Sequence, residues 1–189
     1  MEIQLFDSQV DFLDMYEEAF IASPDDETAI AVLKGTEAIY NENSGCNIEY
    51  CEANNIRAYK GKINTMGTGV MTEGSIVLTV KRKMLDGGDA LPDRFSKALA
   101  KYLLDKGLPA VRCDNNDVIV DNGKVASGGG IYINGFNYMG YQISINQDVE
   151  AIENICIGKP MIKVPRALGD FGITTDEIVE FCKEFWSVN

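Results

Sequence analysis

The sequence predicts an α+β fold, a mixed β-sheet flanked by helices. Three observations lead there. Short apolar runs such as Ser75-Ile76-Val77-Leu78-Thr79-Val80 recur along the chain and read as strands. Longer segments opening at Pro92 and Thr174 carry apolar residues at helical spacing instead. The 189 residues hold no internal repeat and no linker-like stretch, and this length suits one domain with a proper core. A single domain over residues 1–189, with no accessory C-terminal domain, is expected.

Taken in order, Asp7 or Ser8 can cap a helix through about Phe20, with Phe12, Leu13, Tyr16 and Phe20 on one face. Pro24-Asp25-Asp26 breaks it. Thr28 to Leu33 and Ala38 to Tyr40 read as strands joined by a turn at Lys34-Gly35. A polar loop then leads to a short helix near Ile48 to Asn54, and Ile56 to Tyr59 is a further strand. Asp86-Gly87-Gly88-Asp89 forms a turn, and Pro92 opens a helix to about Asp105 that Gly107 stops. Its inward residues are Phe95, Leu99, Tyr102 and Leu103. Strands follow at Val118 to Val120, Ile131 to Ile133 and Tyr141 to Ile145, with a short helical piece over Asp148 to Ile155. Thr174, with Glu177 three residues on, makes a capping box for the last helix.

Charge narrows the partners. The formal net charge is -12, with basic residues spread rather than clustered, so nucleic acid and anionic membrane surfaces are not expected to bind. The first residues begin with acid and lack an apolar run, so no signal peptide is read, and nothing approaches the about 18 apolar residues of a membrane span. Five cysteines, Cys46, Cys51, Cys113, Cys156 and Cys182, contain no Cys-x-x-Cys pair, and histidine is absent. Unpaired thiols in a reducing cytoplasm are expected; a zinc site would need thiolates drawn from distant loops.

The most informative stretch runs from Asn115 to Gly130. Val118 to Val120 alternates like a strand, Asp121-Asn122-Gly123 is a tight-turn signal, and the chain returns through Lys124-Val125-Ala126 to stop at Gly128-Gly129-Gly130. Such a hairpin fixes one lysine beside backbone bare enough to touch a ligand. A positioned cation next to naked amides suits a phosphate or a developing oxyanion. The plain alternatives are a solvated lysine after a turn, a flexible glycine connector, and Asn116 and Asp117 as ordinary turn-formers.

Asn116-Asp117, the short strand, the turn and Lys124-Val125-Ala126-Ser127-Gly128 together resemble the lysine-bearing hairpin of the biotin/lipoate protein ligases and their octanoyltransferase relatives. Gly140 to Asp148 is similar to that family's Gly-x-x-Leu-Asn-Val-Asn-x-Asp strand. Lys163 to Thr174, followed by an acidic helix ending in Phe185-Trp186, is similar to its closing segment, and Tyr50 to Ile56 to the segment before its glycine loop. The likeness covers roughly residues 48 to 186 and rests on the order and spacing of several segments. The family's paired arginines and following histidine are replaced: Lys60 and Lys62 stand for the arginines, and Thr72 or Glu73 stands near the histidine. A lysine grips phosphate as a point charge, without arginine's fork.

The resemblance implies a biotin/lipoate ligase catalytic fold and one of two mechanisms. In ligation, ATP with Mg²⁺ and an acid (lipoate, octanoate or biotin) give an acyl-adenylate that a lipoyl or biotinyl carrier domain's lysine attacks. Lys124 would hold the acyl carbonyl and the α-phosphate, Lys60 or Lys62 the phosphates, and Asp117 the magnesium. Gly67, Thr68, Gly69, Asn116, Ser127, Gly128 and Gly129 would form the binding loops, with Val70, Met71 and Ile76 lining the acyl tunnel. In transfer, Cys156 would carry the acyl group as a thioester without a nucleotide, its thiolate favoured by a nearby lysine. The bland reading of Cys156 is a small apolar residue on a buried face. A third reading is a non-catalytic relative that binds a nucleotide, an acyl ligand or a protein partner.

Overall fold

The computed structural model describes residues 3–40, 45–61, 69–83, 90–157 and 165–188. It is the expected α+β arrangement of sheets flanked by helices. Strands β1 (Ile3–Phe6), β2 (Glu27–Val32), β7 (Ile76–Lys83), β8 (Ala110–Arg112), β9 (Val118–Val120), β10 (Gly123–Ile133) and β11 (Phe136–Ile143) form one seven-stranded sheet in the order β1-β2-β7-β11-β10-β9-β8. It is mixed: β1 runs parallel to β2, and every other pairing is antiparallel. A smaller sheet takes β3 (Glu37–Tyr40), β5 (Arg57–Lys60) and β6 (Gly69–Met71) in the order β5-β3-β6, and β4 (Gly45–Cys46) pairs with β12 (Cys156–Ile157) as a ribbon. The predicted strand pair at Lys34-Gly35 is therefore split, with β2 and β3 in different sheets.

Local signals explain most helix ends. Ser8 accepts from the Asp11 amide and caps α1 (Gln9–Met15), but the predicted single helix breaks at Tyr16 and resumes as α2 (Glu17–Ala22). Asn47 caps α3 (Ile48–Ala53) and Asp148 caps α5 (Val149–Ile155). Pro92 sits in the first turn of α4 (Leu91–Asp105), and Gly107 takes the left-handed conformation beyond its end. Thr174 and Glu177 cap α6 (Thr175–Val188) reciprocally: the Glu177 amide donates to Thr174 Oγ1, and the Thr174 amide donates to Glu177 Oε2 at 2.9 Å.

The large sheet has two differently covered faces. On the first, α4 and α6 bury Phe95, Leu99, Leu103, Ile178, Cys182 and Trp186 against Ile30, Ile76, Leu78, Val118, Val120 and Tyr141. On the second, α1 and α2 cover the β1–β2 end through Phe12 and Phe20, while the small sheet brings Met71 onto Ala31, Leu33 and Val77. This burial is the main source of stability. No described helix is long and apolar enough to cross a membrane.

Candidate functional site

The hairpin forms where the sequence places it, but its turn is built differently. Asp121 and Asn122 hold the positive φ values, 47° and 61°, as a two-residue turn of this kind requires. Gly123 has another role: a Cβ there would lie 1.8 Å from Arg166 Cγ, so the glycine lets Arg166 pack over the turn. The Arg166 amide donates to the Lys124 carbonyl at 2.9 Å, and Lys124 bridges to Pro165. The tail segment is thereby laid directly along the lysine.

An irregularity in β10 decides where Lys124 points. Lys124 pairs with Ile119 and Ala126 with Val118, so β10 advances two residues while β9 advances one. The extra residue, Val125, is a β-bulge. Val118 and Ala126 face the helices of the first face, which puts Ile119 and Lys124 on the second face. Beyond the bulge the alternation restarts, and Ser127 and Gly129 share the second face with Lys124. Without it, Lys124 would fall in phase with Ala126 and Gly128. Bulges commonly re-aim side chains in this way.

Second-face residues run in rows across the sheet. Ser127, Gln142, Val77 and Ala31 form one row by register, and Gly129, Gly140, Thr79 and Ala29 the next. The second row carries only small side chains and so forms the floor of a trough. Gly140 and Thr79 are only half-buried although they lie on interior strands. Tyr138 and Lys81, in the following row, make one wall, and Gln142, whose amide donates to the Val70 carbonyl at 3.1 Å, makes the other. At the trough's inner end Gln9 Nε2 donates to Thr79 Oγ1 at 3.3 Å. Lys124 is half-buried, and among the described residues no hydrogen bond or ion pair engages its ammonium.

The surroundings of Lys124 add charge and space. Pro165 and Arg166 line a cleft of about 420 Å³ with Asn146, Gln147 and Asp170, and Arg166 lies 3.7 Å from Asp121. A larger cleft, about 540 Å³, lies near the start of α1, but its cations are paired, Lys34 with Asp7 and Arg57 with Asp11. Thr72, near the position the family gives to histidine, is buried and donates to the Asn146 carbonyl at 2.6 Å, docking the β6–β7 turn on this cleft.

Several expected site residues stand elsewhere. The chain does not stop at the three glycines; β10 runs through them to Ile133. Gly128 faces the first face, where a Cβ would sit 2.2 Å from the Tyr141 ring, so its bareness serves the core and not a ligand. Ile76 is fully buried on that same face, and Val70 packs with Cys51 and Ile155 behind the small sheet; neither lines the trough. Met71 lies in the layer between the sheets. Gly69 is half-buried in β6 and Lys60 is exposed at the end of β5. Lys62, Gly67 and Thr68 lie outside the described residues.

Asn116 and Asp117 are held by a network the sequence did not announce. Asn116 has φ 65°, its side-chain oxygen accepts from Arg112, and its carbonyl accepts from the Tyr141 hydroxyl at 2.6 Å. Arg112 also pairs with Asp93 at 2.5 Å. Asp117 is buried and accepts from the Asn115 amide at 2.9 Å. Among the described residues no group of three His, Cys, Asp or Glu side chains is arranged to hold a metal ion. Cys156 is opposite Cys46 across the β4–β12 ribbon. Burial pushes its thiol up, and among the described residues no cation offsets this.

No protein-family model matches the chain, and no curated protein matches it. Solved structures do. A bipartite lipoate protein ligase studied with its E2 lipoyl domain, from Thermoplasma acidophilum, superposes with a TM-score of 0.76 at 16% identity, over 99% of this chain and 83% of that one. A lipoate-protein ligase A bound with ATP gives 0.70 at 16% identity, over 96% and 82%. A biotin protein ligase from Aquifex aeolicus gives 0.56 at 12% identity, over 97% and 66%. The chain has the fold these lipoate and biotin protein ligases share.

Proposed function

We propose that this chain is a lipoate-protein-ligase-like enzyme, which activates lipoate or a related acid such as octanoate or biotin with ATP and passes it to a carrier-domain lysine. One arrangement carries the reading: half-buried Lys124, whose ammonium has no hydrogen bond or ion pair among the described residues, shares a sheet face with a trough floored by Gly129, Gly140 and Thr79. Two strand spacings, about 10 Å, separate β10 from β7, a span suited to an extended acyl chain. A chain lying on that floor with its carboxyl group outward presents the carboxylate to Lys124.

The chemistry follows from that placement. The acid's carboxylate attacks the α-phosphorus of ATP, and pyrophosphate leaves. Lys124 donates to the carboxyl oxygen and then to the α-phosphate of the mixed anhydride, where a charge-assisted hydrogen bond is strong and costs no reorganisation. The carrier lysine's amine attacks the acyl carbon, and AMP leaves with its charge still matched by Lys124. Arg166, laid over the hairpin turn, adds a second cation beside the cleft. Asp117, buried and accepting from the Asn115 side-chain amide, does not fit the role of magnesium ligand, and no step is assigned to it. Likeness in fold to an ATP-bound ligase and to one that works with a lipoyl domain supports the choice of nucleotide and acceptor. Thioester transfer is the less favoured reading, since burial raises the Cys156 thiol.

Incubation with ATP and each acid in turn, reading pyrophosphate and acyl-adenylate, tests the proposal. Lys124→Ala should lower adenylate formation by roughly 10²–10³-fold while leaving the melting temperature unchanged. If no acid yields adenylate and Lys124→Ala changes no ligand affinity, the chain is a non-catalytic relative with this fold.

A further inference from the structure

Away from the trough, three of the five cysteines come together behind the small sheet. Cys46 and Cys156 are direct partners across the antiparallel β4–β12 ribbon, although they are far apart in sequence. The Asn47 amide donates to the Ile155 carbonyl at 2.9 Å. That bond lies outside the Cys46–Cys156 pair, which makes it a non-hydrogen-bonded pair, the narrow kind in which Cα atoms stand about 4.5 Å apart and side chains approach most closely. This falls inside the window a disulfide accepts, roughly 4.4–6.8 Å between Cα atoms. The ribbon is tight because residue 45 is glycine: a Cβ there would lie 2.7 Å from the Ile157 carbonyl oxygen. Burial first, then the neighbouring Cys51 and last Cys156, push the Cys46 thiol up to about 12.

We infer that Cys46 and Cys156 form a dithiol site that closes to a disulfide when it meets a small disulfide such as oxidised glutathione. The Cys156 thiolate attacks one glutathione sulfur, and the other glutathione leaves as a thiolate. Cys46 then gives up its proton and attacks the Cys156 sulfur, expelling the second glutathione. Two protein thiols and one oxidised glutathione become one protein disulfide and two reduced glutathiones. Cys46 and Cys156 are both half-buried and either can be the entry point, whereas Cys51 is buried in α3 and closed to the reagent; the step is written for Cys156, beside exposed Ile157. All five cysteines are free in this structure, the state from which the exchange starts. The bridge ties β4, which follows β3 of the small sheet, to β12, after which the chain reaches Pro165 beside Lys124.

The test uses the whole chain at mildly alkaline pH, because burial holds both thiols above their ordinary range. Oxidised glutathione should remove two hydrogens from the intact mass, and a non-reducing digest should show one bridged peptide joining Cys46 to Cys156. The oxidised protein should melt on the order of 5 °C higher, since the bridge closes a long loop, and dithiothreitol should reverse both changes. Cys51→Ser should still form the bridge; Cys156→Ser should not. A wild-type map showing stable glutathione adducts, or a Cys46–Cys51 bridge, overturns the inference, and this map needs no variant to fold. The outcome is independent of whether the chain makes an adenylate.

Discussion

Replacing Gly128 with alanine tests the reading that this glycine serves the core. A Cβ at 128 would lie 2.2 Å from Tyr141 Cδ2, 2.4 Å from the Gly140 carbonyl oxygen and 2.7 Å from Tyr141 Cα. Two of those atoms belong to the backbone of the neighbouring strand and cannot swing aside. The Tyr141 ring is packed edge-on against Phe95, with centroids 5.0 Å apart, and its hydroxyl donates to the Asn116 carbonyl. Burial, with the nearby Asp117 charge, pushes that hydroxyl far above its ordinary pKa, so it remains a donor throughout any usable pH range. Overpacking costs about 1–3 kcal/mol, and orphaning the Asn116 carbonyl costs about 1–3 kcal/mol more. Relief of glycine's entropy in a strand offsets about 0.5–1 kcal/mol. The net loss is about 1–5.5 kcal/mol, a fall of roughly 2–22 °C in melting temperature for a chain of this size. Urea unfolding of wild type, Gly128→Ala, Tyr141→Phe and the double variant reads it. Tyr141→Phe removes only the hydroxyl, and the two changes should be non-additive by at least about 1 kcal/mol because each breaks the same bond. A Gly128→Ala protein that melts with the wild type refutes the argument and returns Gly128 to the list of ligand contacts.

Other expectations come from buried or capping groups. Glu37 accepts from the Gln9 and Val10 amides at 2.9 and 3.1 Å and from the Ser8 hydroxyl at 2.5 Å, so the small sheet caps α1. Glu37→Ala leaves those buried donors unpaired and should cost about 2–5 kcal/mol, read from the urea midpoint. Glu177 is held down to about 2 by Lys106 first and by Thr174 next. Since its folded pKa is depressed, its contribution is complete above the ordinary carboxylate value and fades as pH falls toward 2; Glu177→Gln should flatten that part of a stability-versus-pH profile. Gly123→Ala forces a Cβ into Arg166 and should loosen the Pro165–Lys124 bridge, costing about 1–3 kcal/mol and speeding proteolysis after Arg166.

What the sequence announced, and what it hid, divides along the range of the interactions involved. Ser8, Pro92, Gly107 and the Thr174–Glu177 box act within a few residues, and each sits where the sequence puts it. The hairpin at Asp121-Asn122 is equally local. The helix expected through Phe20 fails at Tyr16, yet its apolar face is real: Phe12, Tyr16 and Phe20 pack in tilted and edge-on contacts across the break. Gly128 was misread because its reason, the Tyr141 ring, arrives from a different strand. Ile76 and Val70 were misplaced for a related cause: alternation tells which residues share a face, but not which face a second sheet or a helix will cover. Gln142 and Thr72 carry no local mark at all; each is defined by a distant carbonyl, and Arg112 by the Asp93 carboxylate on α4.

Lys124 is the instructive case, because what sets its face of the sheet is not part of the hairpin signal. A hairpin alone leaves a lysine on either face with equal ease, since strict alternation fixes only its phase relative to neighbours. In strict phase with Ala126 and Gly128 it would point to the first face, whose core is apolar, and a charge buried there without a partner is costly. Val125 breaks that phase. One inserted residue lets the same strand put Ala126 into the core and Lys124, Ser127 and Gly129 over the trough. Nothing in a string of Lys-Val-Ala-Ser reports the insertion; it exists only relative to β9, where Ile119 and Val118 count one step against two. The chemistry proposed for this chain depends on that mismatch between two strands.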